Sequence, residues 1–334
     1  MLPEELDELC VARGLESYRS AQILEWLYTH GVRSFDEMTN LPKQMRQKFA
    51  DECALTDLIP VRVQASSLDD TRKFLLRLRD GNTMEAVLLP EGNRWTACIS
   101  TQVGCSFGCA FCASGAGGFV RNLTAGEIVA QARMLRFNAE DKRLTNIVFM
   151  GMGEPLANYD ATAQAVRIFQ HPRCMAMGKR RVTISTAGYV PGIHRLAGDT
   201  LPVRLAVSLH ATDDRLRNRL LPINRKYPIR QLLAACKPLA GNPQTPLTIE
   251  YMLMNKVNDS PNQARELVDL CRSLDAKVNL IAYNPTGKGN FAPSPPEQVR
   301  QFQSVLRENG ILAFVRHSRG LDIDAACGQL RARR

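Results

Sequence analysis

The chain has 334 residues, 45% of them hydrophobic and 23% charged, enough for one large domain or a core with an appendage. That composition excludes a disordered chain, a collagen-like repeat and a small disulfide-stapled scaffold. Lys and Arg total 43 against 33 acidic residues, a formal charge of +10, which suits a nucleic-acid partner but does not by itself require one.

The acidic start, MLPEELDELC, lacks the basic and apolar segments of a secretory signal. A cytoplasmic protein is expected, whose ten cysteines more often bind metal or do chemistry than form structural bridges. Residues 1–60 read as a small helical appendage. Tyr18, Ile23, Leu24 and Leu27 recur at helical spacing before Gly31, a stop signal, and KQMRQKFADEC is a second amphipathic stretch. Residues 61–94 read as a short β-hairpin extension, two apolar runs flanking Asp80-Gly81-Asn82.

From residue 95 to 334 strand and helix alternate. The strand-like runs are TACISTQV, TNIVFM, RVTIST, VRLAVSL, LTIEYMLM and VNLIAY, with helical patterns between or after them such as TAGEIVAQARMLRF and PNQARELVDLCRSL. Six such units predict an α/β fold with a parallel sheet curled into a barrel, whose chemistry sits in loops after the strands. The longest uncharged stretch, Trp95 to Val120, has the length of a membrane span. Its five Gly and four Cys read instead as a strand running into a loop, and no membrane association is expected.

Four cysteines, Cys98, Cys105, Cys109 and Cys112, fall within fifteen residues. The last three form a C-x3-C-x2-C run after the first barrel strand. Three thiolates from one loop suit an iron–sulfur cube with one iron left for another ligand. A structural zinc site would ask for a fourth Cys or His at matching spacing, and unligated core thiols are the third possibility.

The run after a first barrel strand resembles the radical S-adenosylmethionine superfamily, which implies a partial (βα)6-type barrel, one 4Fe–4S cluster on Cys105, Cys109 and Cys112, and S-adenosylmethionine opened to a radical. The strings CISTQVGCSFGCAFC, GFVRNLTAGEI, FMGMGEPLAN, TISTAG, VSLHA, PINRKYPI, LIAYNP and DIDAACGQL resemble, in order, one subfamily: the RlmN/Cfr group of RNA adenine methyltransferases. SFDEMTNLPK and TRKFLLRL extend the resemblance over nearly the whole chain.

The resemblance implies the chemistry. Carbons 2 and 8 of adenine are electron-poor, which closes direct attack on a methyl sulfonium and calls for a radical route. It assigns Cys327 as the methyl-carrying cysteine and Cys98 as the resolving one. Two S-adenosylmethionine molecules serve each turnover, and a transient Cys98–Cys327 disulfide follows, so an electron donor and a disulfide reductant are expected partners. Thiolates suit both roles, although each alone would pass for a buried core thiol. Cys10, Cys53, Cys174, Cys236 and Cys271 match no motif and read as structural. Glu85 matches a candidate base, against a plain reading as a strand-edge salt bridge. Gly153, Glu154, Ser185, Ser208, Leu209, His210 and Asn284 match the S-adenosylmethionine pocket.

The implied substrates are an adenosine in the peptidyl-transferase region of 23S rRNA and one beside the tRNA anticodon, methylated at carbon 2 by a monomeric enzyme. Two alternatives stand: a carbon-8 methyltransferase conferring antibiotic resistance, and a non-catalytic iron–sulfur RNA-binding protein. The basic clusters Lys179–Arg181, Arg215–Arg230, Arg316–Arg319 and Arg331, Arg333, Arg334 are expected to form a phosphate-binding rim around the barrel mouth and appendage.

Overall fold

A computed structural model describes the chain except residues 54, 56, 57, 140–142, 200, 333 and 334. Helices α1 (Pro3–Ala12), α2 (Tyr18–Glu25) and α3 (Lys43–Glu52) form the N-terminal part. Gly31 ends the α2 run with φ +71°, and a Cβ there would meet the Phe137 ring at 2.6 Å. That contact, the Arg173–Asp7 ion pair at 2.7 Å, and a 2.8 Å bond from Arg133 to Val32 O seat the helices on the barrel.

Strands β1 (Ile59–Ala65), β2 (Arg72–Arg77) and β3 (Thr83–Glu91) form an antiparallel meander. The expected turn joins β2 to β3, with Asp80 accepting from the Asn82 backbone N–H. The meander is continuous with the barrel, because β3 pairs antiparallel with β4 (Arg94–Cys98). The TACISTQV run is two elements rather than one: the sheet leaves at Cys98, and β5 (Gln102–Gly104) pairs instead with β6 (Phe119–Asn122) in a small separate hairpin. At the break Ser100 turns inward, donating to Glu85 O at 2.6 Å and accepting from the Met152 N–H.

Helix α4 (Ala125–Phe137) follows, opened by a Thr124/Glu127 capping box. The alternation continues through β7 (Arg143–Phe149), α5 (Tyr159–Gln170), β8 (Val182–Thr186), α6 (Val190–Gly198), β9 (Arg204–Ser208), α7 (Asp214–Leu220) and α8 (Ile229–Cys236). It ends with β10 (Thr248–Leu253), α9 (Pro261–Arg272), β11 (Lys277–Ala282), α10 (Pro296–Glu308) and β12 (Ala313–Arg316). The sheet order is β1-β2-β3-β4-β7-β8-β9-β10-β11-β12, and every pairing from β4 onward is parallel.

The six expected barrel strands are therefore joined by a seventh, β12. Its short AFVR run opens with three apolar residues and so carries no alternation of residue type, although in the strand Ala313 is buried and Phe314 exposed. Helix α6 hid behind Pro191 and Gly192. Gly192 lets the helix approach closely, for a Cβ there would meet Leu156 at 2.6 Å.

The sheet does not close on itself; the C-terminal segment spans the gap. Asp322 accepts from the Ser66 hydroxyl at 2.7 Å and the Ser67 N–H at 2.9 Å, Gly320 N–H donates to Asp69, and Arg331 N–H donates to Glu85 at 2.7 Å. This segment, carrying Cys327, is thus carried from β12 across to the hairpin side of the lumen.

Candidate active site

Strand register decides which side chains look into the lumen. Val87 lies opposite Cys98, and Glu85 opposite Leu75, two residues along from Lys73. Lys73, Glu85, Val87 and Cys98 therefore share one face. Lys73 Nζ stands 3.5 Å from Glu85 with both side chains 8% exposed, and it also donates to Asp324 O. Glu85 is thus engaged in a buried ion pair in a sheet interior, closer to the salt-bridge reading than to a free base, though away from the strand edge.

The loop carrying Cys105, Cys109 and Cys112 is folded over on glycine. Gly104 has φ +75°, and a Cβ there would fall 1.8 Å from Gly118 O, so only glycine fits. The same carbonyl accepts from the Cys105 N–H at 3.0 Å. From below, Ala110 N–H donates to Leu220 O, and Phe111 packs with Leu220, Leu221, Met252, Met254 and Tyr283. From the C-terminal side, Ala113 N–H donates to Gly328 O at 2.7 Å and Ser114 to Leu330 O at 2.7 Å.

The three cysteines are half-buried. Burial pushes the Cys105 thiol up to about 12 and raises Cys109 further, with the neighbouring thiols adding in the same direction. Such thiols stay protonated unless a cation displaces the proton. Among the described residues no three His, Cys, Asp or Glu side chains converge on a single ion. A cube-shaped cluster asks for something else, one thiolate on each of three irons around a larger space, and this donor set fits it.

Solvent reaches Cys327, yet protein surrounds it densely enough that burial pushes its thiol up to about 12, with Cys112, Cys98 and Glu250 adding to the effect. The bonds from Ala113 to Gly328 O, from Ser114 to Leu330 O and from Asn284 to Cys327 O place this residue beside the three-cysteine loop. Cys98 ends β4 buried, its thiol likewise pushed up to about 12 by burial. The structure brings Cys98, Cys112 and Cys327 into one electrostatic neighbourhood, although 229 residues separate the first from the last.

The remaining expected residues follow strands, as the barrel rule requires. Gly153, with φ +96°, lets the chain pass Gln102, which a Cβ would approach to 2.5 Å. Glu154 is buried; its carboxylate accepts from the Ala187 N–H at 2.8 Å and the Leu156 N–H at 3.1 Å. Burial pushes its acid up to about 7 despite those bonds. Ser185 lies on β8 and Ser208 ends β9, both half-buried. The Leu209 N–H donates to Glu250 O. His210, at φ +57°, is buried edge-on to Phe111 at 4.9 Å and accepts at Nδ1 from the Met252 N–H. Asn284 is buried and donates to Cys327 O at 3.1 Å, so it also holds the C-terminal loop.

Several residues at the site were not foreseen. Gln102 accepts from the Glu154 N–H at 2.9 Å. Asn258 is fully buried and clamps two loops, donating to His210 O and Met252 O and accepting from the Met254 N–H. Glu250 is a buried carboxylate beside Cys327, held by Asn279 at 2.8 Å. A buried charge within an apolar strand, LTIEYMLM, was the available signal for Glu250.

Comparison with known proteins bears on this arrangement. The family model described as Radical SAM superfamily matches residues 99–269, and that described as Ribosomal RNA large subunit methyltransferase N-terminal domain matches residues 1–55. The dual-specificity RNA methyltransferase RlmN of Halorhodospira halophila is 48% identical, over 95% of this chain and 88% of its own. The chain belongs to the RlmN family. A probable RlmN of Moorella thermoacetica is 47% identical over 99% of this chain and 96% of its own. The crystal structure of a radical SAM methyltransferase from Sphaerobacter thermophilus superposes with a TM-score of 0.95 at 47% identity, covering 100% of this chain and 98% of that one. As an RlmN-family member the chain is an enzyme, a radical SAM methyltransferase, which sets aside the non-catalytic alternative.

Proposed function

We propose that this enzyme methylates carbon 2 of adenosine in RNA, in the peptidyl-transferase region of 23S rRNA and beside the tRNA anticodon. The observation that carries the two-cysteine chemistry is the pair of hydrogen bonds from Ala113 and Ser114 to Gly328 and Leu330; the choice of carbon 2 over carbon 8 rests on the complete DIDAACGQL and MGMGEP strings. They hold Cys327 against the three-cysteine loop, on the lumen side where Cys98 ends its strand. An enzyme that only delivered a methyl by direct displacement would need neither thiol.

In this reading the Cys327 thiol loses its proton and takes a methyl from the sulfonium of one S-adenosylmethionine. That carbon passes to adenine, and Cys98 bonds to the Cys327 sulfur as it leaves. The two oxidising equivalents of the Cys98–Cys327 disulfide come from the second S-adenosylmethionine, which departs as methionine and 5′-deoxyadenosine. A thiol reductant reopens that bond. A 4Fe–4S cluster on Cys105, Cys109 and Cys112 supplies, when bound, the electron that opens a second S-adenosylmethionine. Gly153, Glu154, Ser185, Ser208, Leu209, His210 and Asn284 frame the pocket for that molecule at the strand ends. Glu154 carries lone pairs beyond the two its loop bonds use, available to an ammonium group.

RNA as substrate is supported by the names of the relatives and by cations around the mouth. Arg215, Arg219, Arg225, Lys226 and Arg230 are exposed on the segment after β9, and Arg316 and Arg319 are exposed at and after the end of β12. Lys179, Arg180 and Arg181 precede β8 and so lie on the barrel floor, opposite the mouth, which corrects the expectation of a single rim. Arg333 and Arg334 lie outside the described residues. No described helix is long and apolar enough to cross a membrane, and a monomeric enzyme working in the cytoplasm, where tRNA and ribosomes reside, fits this reading.

The test is nucleoside mass spectrometry, against synthetic standards, of rRNA and tRNA from cells lacking their own enzyme, with and without this chain. 2-Methyladenosine in both pools supports the reading in full. 8-Methyladenosine would overturn the position while leaving the cysteine roles standing.

A further inference from the structure

Arg217, on α7, is fully buried. Its Nε donates to Leu209 O at 3.1 Å, Nη1 to Asn224 Oδ1 at 2.7 Å, and Nη2 to Ala187 O at 2.8 Å and Ser208 O at 3.0 Å. All four acceptors are neutral. The nearest carboxylate in this network, Asp214, is reached only through Asn224, whose amide donates to it at 2.9 Å. Gly188, at φ +102°, leaves room for the guanidinium; a Cβ there would stand 3.0 Å from Nη2.

A buried cation whose hydrogen bonds all go to neutral groups keeps its full charge in a poorly polarisable surrounding, which is costly unless an anion sits nearby. Burial lowers Arg217 to about 10, with Cys109 first among the groups opposing that shift. The packing agrees: Leu216, Leu220 and Leu221 surround the cysteine loop, and Leu220 O holds Ala110. A second cation approaches the same loop, where Lys288 Nζ donates to Cys109 O at 3.0 Å.

We infer that Arg217, assisted by Lys288, is the built-in counter-charge for the anionic cofactor held by Cys105, Cys109 and Cys112, and that it sets how readily that cofactor accepts an electron. This rests on the cluster assignment made above. Three thiolates around a 4Fe–4S core of charge 2+ give a net negative site, and one-electron reduction adds a further negative charge. A fixed cation next to it favours the reduced form. Because four of its five N–H groups are committed to the scaffold, Arg217 acts chiefly through space as a positioning residue.

The test loads the full-length wild type and the variants R217Q, R217K and K288Q with iron and sulfide under anaerobic conditions. Iron content is measured first, then the midpoint potential by mediated spectroelectrochemistry. R217Q is expected to hold its iron but to shift to a more negative potential, with a smaller reduced fraction at any fixed applied potential. R217K should stay near the wild type even if it melts lower. K288Q should shift the same way by less, being half-exposed. Unchanged potentials in R217Q and K288Q would overturn the inference, as would an R217K shift as large as that of R217Q. If circular dichroism finds R217Q unfolded, R217K and K288Q decide: an unchanged K288Q, or an R217K potential more negative than that of K288Q, overturns the inference. A folded wild type that takes up no iron would sink the cluster assignment itself, a result distinct from all of these.

Discussion

Replacing Glu85 with Gln separates two roles that its position permits. The carboxylate faces the lumen on the strand face that also carries Cys98, yet it is paired with Lys73 at 3.5 Å and accepts from the Arg331 N–H at 2.7 Å. Gln keeps the shape and can still accept from Arg331, but it leaves the Lys73 ammonium buried without its carboxylate. Breaking one side of a buried ion pair costs about 3–5 kcal/mol. At about 2.1 cal/mol/K per residue, the unfolding entropy of a 334-residue chain is roughly 0.7 kcal/mol/K, so the melting temperature should fall by about 4–7 °C. The double variant Glu85→Leu/Lys73→Met removes both charges and should recover much of that loss, because an apolar pair needs no countercharge. Differential scanning calorimetry of the wild type and both variants reads the comparison, with methylation measured well below the lowest melting temperature. Should E85Q melt with the wild type and yet lose turnover, the ion-pair argument is wrong and Glu85 acts on substrate as a base.

Cys327→Ala should abolish RNA methylation without altering iron uptake; methyladenosine above the no-enzyme background would contradict its role. His210 is buried and pushed down to about 3 by burial, with Arg217 adding to the shift. The unfolded chain therefore binds a proton below about 6.5 that the folded chain refuses, and stability should drop as pH falls from 7 toward 3. In His210→Gln that slope should be shallower, as followed by chemical denaturation at several pH values; identical slopes refute the assignment of a neutral ring. Replacing Lys179, Arg180 and Arg181 together with Gln should leave methylation of tRNA unchanged, since they lie on the barrel floor. A marked loss, measured at fixed ionic strength, would show that RNA wraps past the mouth.

Much of the architecture was legible because its signals are local. The TAGEI capping box at Thr124, the turn at Asp80-Gly81-Asn82, and the periodicity of α4, α5, α9 and α10 are each written within a dozen residues. What failed to show depends on tertiary contact. In β12 the small Ala313 is buried and the large Phe314 exposed, so residue type does not mark the inward face, and α6 requires a glycine that reads as a breaker until Leu156 packs on it. The break after Cys98 was hidden for the same reason. CISTQV carries the β-branched Ile99, Thr101 and Val103 and so reads as one strand, and only Ser100 bonding to Glu85 and Met152 shows where the chain turns away from the sheet.

The site divides along the same line. The cysteine run is visible because its ligands are close in sequence, whereas its surroundings come from bonds such as Ser114 to Leu330 and Arg331 to Glu85, spanning 216 and 246 residues. No spacing rule reaches that far, so the pairing of Cys327 with Cys98 comes from the resemblance; the structure adds that the closing segment crosses the open side of the sheet and brings the two into one electrostatic neighbourhood. Arg217 is the sharpest case. In the sequence it is one arginine in a basic run whose other members face solvent, with nothing to distinguish it. Its burial arises because α7 packs its Leu216 and Leu220 against the cysteine loop, and that packing carries the intervening arginine inward with them. The same two leucines that give the helix its apolar face thus place a charge beside the thiols, a link between packing and redox chemistry that a composition count, which adds Arg217 to the surface charge, assigns to the wrong place.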